Sequence, residues 1–391
     1  MKKKLMTLEQ RRLLREAQQL LALSERQKAK KKTSEASESG DNTNTTVRLT
    51  RQVMDFLTKR YDFRYNLLTE ETEFRPAGQR DFAFLPVGKR NLNAFCIEAH
   101  AEGIPCWDKD LSRYIYSTYI PDYHPFQLYM EELPQWDGVD RLTQLALRVS
   151  DCPHWVQGFH IWMLGLAAQW SGLAGIHANS VAPILVSQEQ GRQKSTFCKS
   201  LMPMVLRRYY VDNLKLTSQG QAERLLAEMG LLNMDEFDKY AESKMPLLKN
   251  LMQMSDLNIR KAYQQSFRQL PRVASFIGTS NRFDLLTDPT GSRRFLCVEV
   301  ERVIDCTHIE HDQIYAQLKA ELLAGRRDWF TKEEEQVLQV QLLLLELRLL
   351  PVLEQEFQAV FQLRQALRNE QAAVGRKSVR YCFCRRYNAI F

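Results

Sequence analysis

Lys194 and Ser195 follow the apolar segment 182–186 in the way that the end of a phosphate-binding P-loop follows a buried strand. The P-loop pattern is G-x-x-x-x-G-K-S/T, in which the lysine neutralises the β and γ phosphate oxygens and the hydroxyl binds Mg²⁺. The lysine and the hydroxyl match this pattern, whereas the two expected glycines are replaced by Gln188 and Gln193. The segment therefore predicts phosphate chemistry in a loop of altered composition.

The start of a helix supplies the remainder of such a site, because backbone N–H groups and the helix dipole favour an anion there. Thr196 begins a segment of helical character that Pro203 ends, and we expect the lysine side chain before it to be solvated. Glutamine in place of glycine costs ~1–2 kcal/mol wherever φ is positive. The residues predicted to bind the nucleotide are Gly191, Gln193, Lys194, Ser195 and Thr196.

Two adjacent carboxylates, Asp235 and Glu236, end the apolar run 231–234. Asp235 at a strand end is suited to hold Mg²⁺ together with Ser195, and Glu236 is suited to polarise an attacking water. The alternative is an Asp-Glu pair at the surface after a core strand. In the context of a P-loop we favour the metal and general-base roles.

A second strand, predicted over 273–280, ends in Asn281, whose amide is suited to orient a water beside the γ-phosphate. Arg293 and Arg294 follow a turn-like stretch and offer two guanidinium groups for a phosphate in the transition state. Two solvated arginines in a turn are the alternative. Glu236, Asn281, Arg293 and Arg294 are therefore the predicted catalytic residues.

The order of these segments resembles the virulence-associated protein E family, a branch of the phage- and plasmid-borne primase-helicase ATPases related to superfamily 3 helicases. The resemblance covers about residues 120–300. It is carried by 123–126, 133–141, Lys194-Ser195-Thr196, 235–237, Leu248-Lys249, the D-x-x-x-R-x-x-Y segment 256–263, Pro271-Arg272, 278–281 and the segment 286–295.

The resemblance implies an ATP-dependent enzyme with ATP and Mg²⁺ as cofactors. Lys194 and Ser195 would bind phosphate and metal, Asp235 and Glu236 would form the Walker B pair, and Asn281 would be the sensor. Arg293 or Arg294 would act on the nucleotide of a neighbouring subunit, since related ATPases form rings, often hexamers. Family members usually keep the P-loop glycines, and this chain does not.

Three functions remain open on this basis. The first is a DNA helicase or replication-initiator ATPase of a mobile genetic element, acting on nucleic acid that we expect to be single-stranded DNA. The second is a non-hydrolysing nucleic-acid-binding or scaffold protein that keeps the fold, favoured by Gln188 and Gln193. The third is a P-loop regulator that binds nucleotide as a switch.

The expected fold is an α/β P-loop NTPase core of the AAA+ or superfamily 3 kind, with a central, mostly parallel sheet flanked by helices. A smaller N-terminal α+β module and a helical C-terminal region accompany it. The predicted divisions are a basic tail and polar linker (1–46), the α+β module (47–120), a helical lead-in (121–180), the ATPase core (181–300) and a helical region (301–391) that is atypical after about residue 336.

The composition is that of a globular protein with a modest basic excess, +7 at 391 residues, which favours a polyanionic partner. No C-x₂-C pair occurs among the eight cysteines, so no zinc ribbon is indicated, and ordinary thiols in a reducing cytoplasm are expected. Residues 161–176 form the longest apolar stretch, interrupted by Gln169 and Ser171, and predict a buried core helix rather than a membrane span.

Aromatic and basic residues alternate in the N-terminal module, over 60–65, 80–82 and 113–114. Such alternation is suited to stack bases and neutralise phosphates. Core aromatics beside surface charges are the alternative.

Overall fold

The structure is a computed structural model that describes residues 43–175, 177–216, 218–259, 268–282 and 292–338. These residues form two compact units: one holds 43–66 and 70–122, and the other holds 67–69 and the chain from residue 123. The sequence features predicted before residue 43, within 260–267 and 283–291, and after 338 lie outside the described residues.

The first unit combines helices with a small antiparallel sheet. Its strands pair in the order β3-β2-β1, and Phe63 lies opposite Phe74 in the hairpin of β1 and β2. Its elements are α1 (Thr43–Arg60), β1 (Tyr61–Asn66), β2 (Glu71–Pro76), β3 (Leu85–Pro86), α2 (Lys89–Ala101) and α3 (Asp108–Ile115).

Most of the aromatic rings of this unit form its core. Tyr61, Phe63, Phe74 and Phe95 lie within ring-centroid distances of 4.6–6.4 Å of one another, mainly edge to face. For these rings the structure therefore favours core packing over base stacking. Phe82, in contrast, is 56% exposed and keeps an accessible ring face.

The second unit is built on a five-stranded sheet whose described pairs are all parallel, in the order β11-β5-β10-β7-β6. The elements from residue 122 are β4 (Asp122–Tyr123), α4 (Pro125–Glu132), α5 (Arg141–Leu147), α6 (Pro153–Ser171), β5 (Ala182–Val186), α7 (Lys194–Ser200), β6 (Tyr210–Val211), α8 (Gln219–Glu228), β7 (Leu231–Met234), α9 (Met245–Gln253), β8 (Asp256–Ile259), β9 (Arg268–Pro271), β10 (Ser275–Ser280), β11 (Phe295–Glu299) and α10 (His311–Leu323). Short 3-10 helices occur at Met204–Tyr209, Phe237–Lys239, Glu242–Lys244 and Ser292–Arg294.

Helices cover both faces of this sheet, as the continuous apolar character of its strands requires. Along β5, Leu185 packs into a core with α4, α5, α6 and α10, whereas Ile184 and Val186 pack into a second core with α8 and α9. Every residue of β5, β7 and β10 is buried. The predicted central parallel sheet flanked by helices is therefore confirmed.

Helix α6 is the predicted buried helix of the lead-in. Pro153 opens it at a position where its fixed φ suits a helix, and Gly172 ends it in the left-handed conformation, with φ +65°. Trp155, Trp162 and Trp170 on this helix are fully buried. Among the described residues, no helix is both long and apolar enough to cross a bilayer.

Arg272 is buried and donates hydrogen bonds to several backbone carbonyl groups. Its guanidinium donates to the carbonyl oxygens of Ala274 at 2.6 Å, Met252 at 2.7 Å and Asn179 at 3.1 Å. Burial lowers the pKa of this side chain to about 9. The guanidinium joins the end of α9, the loop before β5 and the start of β10, and it therefore sets how these segments meet.

We predict that Arg272→Met destabilises the protein by about 3 kcal/mol or more, because buried carbonyl groups lose their donors at ~1–3 kcal/mol each. Urea unfolding of the full chain measures this effect. Arg224→Met is the matched control, since Arg224 is an exposed partner of Glu228 on α8 and such pairs contribute little. Equal midpoints for the two variants would contradict the role assigned to Arg272.

Candidate nucleotide-binding site

The carboxyl ends of three neighbouring strands bring the predicted site residues to one edge of the sheet. β10 lies between β5 and β7, with Ser280 opposite Val186 and Gly278 opposite Met234. A Cβ atom on Gly278 would come within 2.8 Å of the Ile184 side chain and 3.0 Å of the Met234 carbonyl oxygen, so glycine permits this close approach. The loops that leave the three strands therefore meet at one place.

The loop between β5 and α7 keeps a left-handed residue where the P-loop pattern has its last glycine. Gln193 has φ +63° and caps the start of α7, and Gly191 has φ +79°. Gln188, at the other glycine position, is not among the described residues with positive φ. The loss of glycine is therefore a source of backbone strain at Gln193 and not at Gln188. Helix α7 begins at Lys194, two residues earlier than the sequence predicts.

Lys194 is held inside the site. Its side chain is 9% exposed, and Nζ donates to the carbonyl oxygen of Ser187 at 2.8 Å and to Oδ1 of Asn281 at 2.9 Å. Burial lowers the pKa of this ammonium group, against the opposing attraction of Asp238 and Asp235. The expectation of a solvated lysine is therefore wrong: the loop and the end of β10 fold over its amine.

Ser195 and Asp235 meet directly, although they lie far apart in the chain. Oγ of Ser195 donates to Oδ1 of Asp235 at 2.7 Å, and Oγ1 of Thr279 donates to the same oxygen at 2.7 Å. The Thr279 hydroxyl also accepts from the backbone N–H of Glu236 at 3.2 Å. A carboxylate and a hydroxyl placed in this way offer the oxygen ligands that Mg²⁺ prefers.

Glu236 has a strained backbone, with φ +50°. Its carboxylate is 45% exposed and pairs with Lys239 at 2.6 Å, a pair that solvent screens. Left-handed non-glycine residues cluster at functional sites, and both Gln193 and Glu236 line the same cavity. The carboxylate lies at the edge of the site where it is accessible to water.

Both the side-chain amide and the backbone N–H of Asn281 are hydrogen-bonded. Its amide oxygen accepts from Lys194, and its backbone N–H donates to Oδ1 of Asp238 at 3.1 Å. Oγ of Ser280 donates to the same Asp238 oxygen at 3.0 Å. Asp238 and Thr279 thus support the site, and neither had a predicted role. The D-E-F-D run and the threonine two residues before Asn281 are the sequence signals by which they could be found.

The two arginines lie apart from this group. Arg293 and Arg294 occupy a 3-10 helix before β11, and Nε of Arg293 is 3.7 Å from a carboxylate oxygen of Glu335. Burial, and then the neighbouring Arg293, lower the pKa of Arg294. Neither arginine is among the described residues that line the cavity beside Lys194. Their predicted action on another subunit's nucleotide stays a prediction.

The predicted ligands surround a single cavity of about 350 Å³. Its volume lies in the range of ~300–1,000 Å³ that is usual for small-molecule sites. The described lining residues are Gln190, Gly191, Arg192, Gln193, Lys194, Ser195, Thr196, Asp235, Glu236, Thr279 and Asn281. A lysine amine, a hydroxyl beside a carboxylate, and the N-terminus of α7 are the donors and ligands that a nucleotide phosphate with Mg²⁺ needs, so the residues fit this group.

Residues 130–342, more than half of the chain, match the virulence-associated protein E-like domain. The chain belongs to this family. No curated protein matches the chain. The candidate site residues Lys194, Asp235, Glu236 and Asn281 of this virulence-associated E-like protein all fall within the matched range.

Solved structures of the C-terminal region of NrS-1 also match part of the chain. One apo structure of that region is 14% identical, with a TM-score of 0.45, over 75% of this chain and 74% of the other. An A-form apo structure is 15% identical, with a TM-score of 0.43, over 78% and 75% of the two chains. Another A-form apo structure has a TM-score of 0.42 and 15% identity, over 74% and 73%.

Because only Gln193 is left-handed, glycine substitutions at Gln193 and Gln188 should have different effects in this virulence-associated E-like protein. Gln193→Gly should relieve ~1–2 kcal/mol of strain, partly offset by the backbone entropy of glycine, and should therefore raise the Tm. Gln188→Gly should leave the Tm unchanged or lower it, because it only adds flexibility. Thermal unfolding of both variants measures the difference. A gain for Gln188→Gly alone would contradict the strain assignment.

Proposed function

We propose that the chain binds ATP with Mg²⁺ at this cavity, hydrolyses it, and uses it to act on single-stranded DNA in the replication of a mobile genetic element. The observation that carries the proposal is the 2.7 Å hydrogen bond from Ser195 to Asp235, beside a lysine already anchored at Asn281. A P-loop hydroxyl and a Walker B carboxylate need this proximity to share one metal ion. Ser195, Asp235 and Asn281 follow three different strands, and a shared nucleotide site accounts for their convergence.

The binding roles follow from the donors that each residue presents. Lys194 supplies a positive charge for the β and γ phosphate oxygens, and the backbone of Gly191, Gln193 and Thr196 supplies N–H groups at the start of α7. Ser195 and Asp235 would hold Mg²⁺, which would neutralise charge on the phosphate oxygens. Thr279 fixes the Asp235 carboxylate by its hydrogen bond at 2.7 Å and so keeps it oriented.

The hydrolytic roles belong to the two residues at the mouth of the cavity. Glu236 is exposed enough to reach a water and is suited to take its proton as a general base. Asn281 is rigid, because Asp238 holds its backbone, and its amide is suited to orient that water. In the same proposal Arg293 or Arg294 acts on the nucleotide of a neighbouring subunit, in a homo-oligomer that would be a hexameric ring.

A non-hydrolysing scaffold is the second candidate, and one contact favours it. The Glu236 carboxylate pairs with Lys239 at 2.6 Å, and this pair competes with its use as a base. The exposure of both side chains makes the pair weak, so a bound water could replace Lys239 at little cost. The hydrolysing protein is therefore favoured over the scaffold.

The net charge of +7 and the cytoplasmic location that we propose are both suited to a partner such as DNA. ATP turnover of the purified full chain, with and without single-stranded DNA, tests the proposal. We expect turnover that rises on addition of DNA, whereas heparin of matched charge serves as the polyanion control. ATP binding with no turnover in any of these conditions would favour the nucleotide switch, and absence of both binding and turnover would favour the scaffold.

DNA affinity should fall steeply with salt if Lys and Arg residues contact phosphates, with a slope of about −0.7 per contact for single strands. A chain that begins at residue 43 should show a shallower slope, because residues 1–32 hold eleven Lys and Arg residues. Base preference should not change, since phosphate contacts carry no sequence information. Fluorescence anisotropy at several salt concentrations measures both chains. An affinity that is independent of salt would point to a protein partner.

A further inference from the structure

Two cysteines and a histidine of the first unit converge at the end of α2. Cys96 and His100 are four residues apart on this helix, so their side chains lie on the same face. Cys106 returns to that face after a short loop. One ligand atom from each of the three residues lies within 4.8 Å of the other two.

The loop after α2 turns the chain back, so that Cys106 lies beside His100. Gly103 has φ +76°, which ends the helix in the left-handed region. Nε2 of His100 lies 2.6 Å from the carbonyl oxygen of Cys106, and 3.8 Å from Sγ of Cys96. A tetrahedral zinc ion places such sulfur and nitrogen ligands about 3.6 Å apart, from Zn–S and Zn–N distances of ~2.3 and ~2.0–2.1 Å. The Cys96–His100 pair therefore needs only a small adjustment, and the three ligand atoms together must close from spacings of up to 4.8 Å.

We propose that Cys96, His100 and Cys106 form a binding site for one zinc ion, with a water as the fourth ligand. Thiolate sulfur and imidazole nitrogen select zinc over Mg²⁺ or Ca²⁺, which prefer oxygen ligands. A cavity of about 420 Å³, lined by His100, Gly103, Ile104, Pro105, Cys106 and Trp107, leaves room for the fourth ligand. The spacing is C-x₃-H-x₅-C, which a search for C-x₂-C pairs does not find.

Zinc at this site competes with interactions that the three residues already make. The hydrogen bond between the His100 ring and the Cys106 carbonyl must open, since Nε2 becomes a metal ligand. Zinc binds the thiolate form of a cysteine, so binding releases thiol protons into solution and weakens as the pH falls.

The ion would join two helices that otherwise meet through a loop. Cys96 and His100 belong to α2, and Cys106 precedes α3 by two residues. Cys106 is fully buried and packs in the core of the first unit, whereas His100 is exposed. A metal that bridges them stabilises the folded unit, because the ligands do not converge in an unfolded chain.

The test uses the full chain, kept reduced with a phosphine, and measures bound zinc and the absorption of added Co²⁺. We expect about one zinc per chain, and thiolate-to-Co²⁺ charge-transfer bands in the metal-exchanged protein. His100→Ala removes an exposed ligand, so folding is preserved, and it should weaken Co²⁺ binding by about 10-fold or more. Cys96→Ser should lower the charge-transfer intensity as well.

Cys152→Ser is the matched control, since Cys152 is another half-buried free cysteine but lies in the second unit. It should keep the zinc content and the Co²⁺ spectrum of the wild type. A chelator should lower the Tm of the wild type and leave that of His100→Ala unchanged.

Two results would overturn the proposal. One is a reduced, folded wild-type chain that holds no zinc and gives no charge-transfer band with Co²⁺. The other is zinc binding that His100→Ala and Cys96→Ser leave intact, since the ion would then be held elsewhere. Neither result bears on ATP turnover, so this proposal and the proposed function can fail separately.

Discussion

Lys194→Ala should weaken ATP binding on the order of 100-fold or more while the fold persists. The lysine is a positive charge that lines the candidate cavity, and a hydrogen bond to a charged group contributes ~1.5–3 kcal/mol. Because its Nζ also joins Ser187 to Asn281, the substitution frees the end of β10 as well. Titration of a fluorescent ATP analogue with Mg²⁺ measures the loss.

Lys199→Ala is the control for this measurement. Lys199 lies on the same short helix, but it is exposed and pairs with Asp212 at 3.0 Å. Its loss should leave nucleotide affinity within about twofold, since such surface pairs contribute ~0–1 kcal/mol. Circular dichroism of both variants checks the fold. Equal affinity in the wild type and Lys194→Ala would show that the nucleotide is not bound by this loop.

Glu236→Gln should preserve ATP binding and reduce turnover by a factor of about 10²–10⁴, the usual contribution of a general base. Glutamine keeps the shape of the side chain and removes the carboxylate that would take a proton from water. The ion pair with Lys239 is also lost, but it is exposed and contributes little to stability. Steady-state turnover at saturating ATP measures the effect.

Glu242→Gln serves as the matched control, because Glu242 is an exposed carboxylate in the next 3-10 helix of the same loop region. It should retain wild-type turnover. If Glu236→Gln turns over ATP as fast as Glu242→Gln, the base is a different residue. A loss of ATP binding in Glu236→Gln would show instead that this residue maintains the loop.

The sequence predicted the parts of the site that depend on local pattern. The run 182–186 is a strand with those limits, because it is apolar throughout and turn residues follow it. The carboxylates Asp235 and Glu236 follow directly after β7, as the end of an apolar run indicates. Outside the site, Thr331 and Glu334 form a capping box, with Thr331 N–H donating to Glu334 and Glu334 N–H donating to Thr331.

The parts that it did not predict depend on which strands are neighbours. Lys194 reaches Asn281 only because β5 and β10 are adjacent, and no spacing in the sequence encodes that pairing. The support of Asp235 by Thr279 requires β10 to lie beside β7 as well. Because burial of the lysine follows from these pairings, the sequence alone favoured a solvated side chain.

The sequence also did not predict the backbone conformation of the loop before α7. Gln193 is left-handed whereas Gln188 is not among the described residues with positive φ, although both replace a glycine of the same pattern. The difference arises because Gln193 must cap α7 at the point where the loop turns into the helix. The convergence of Cys96, His100 and Cys106 likewise needs a helix face and a loop together.

Calorimetry of Mg²⁺-ATP binding to the purified wild-type chain is the decisive experiment for the nucleotide site. We expect saturable binding of one nucleotide per chain that weakens when Mg²⁺ is removed, because Ser195 and Asp235 are placed to share the metal. A related ATPase of the same family in the same buffer provides the positive control. If that control binds nucleotide and this chain does not, the cavity beside Lys194 is not a nucleotide site.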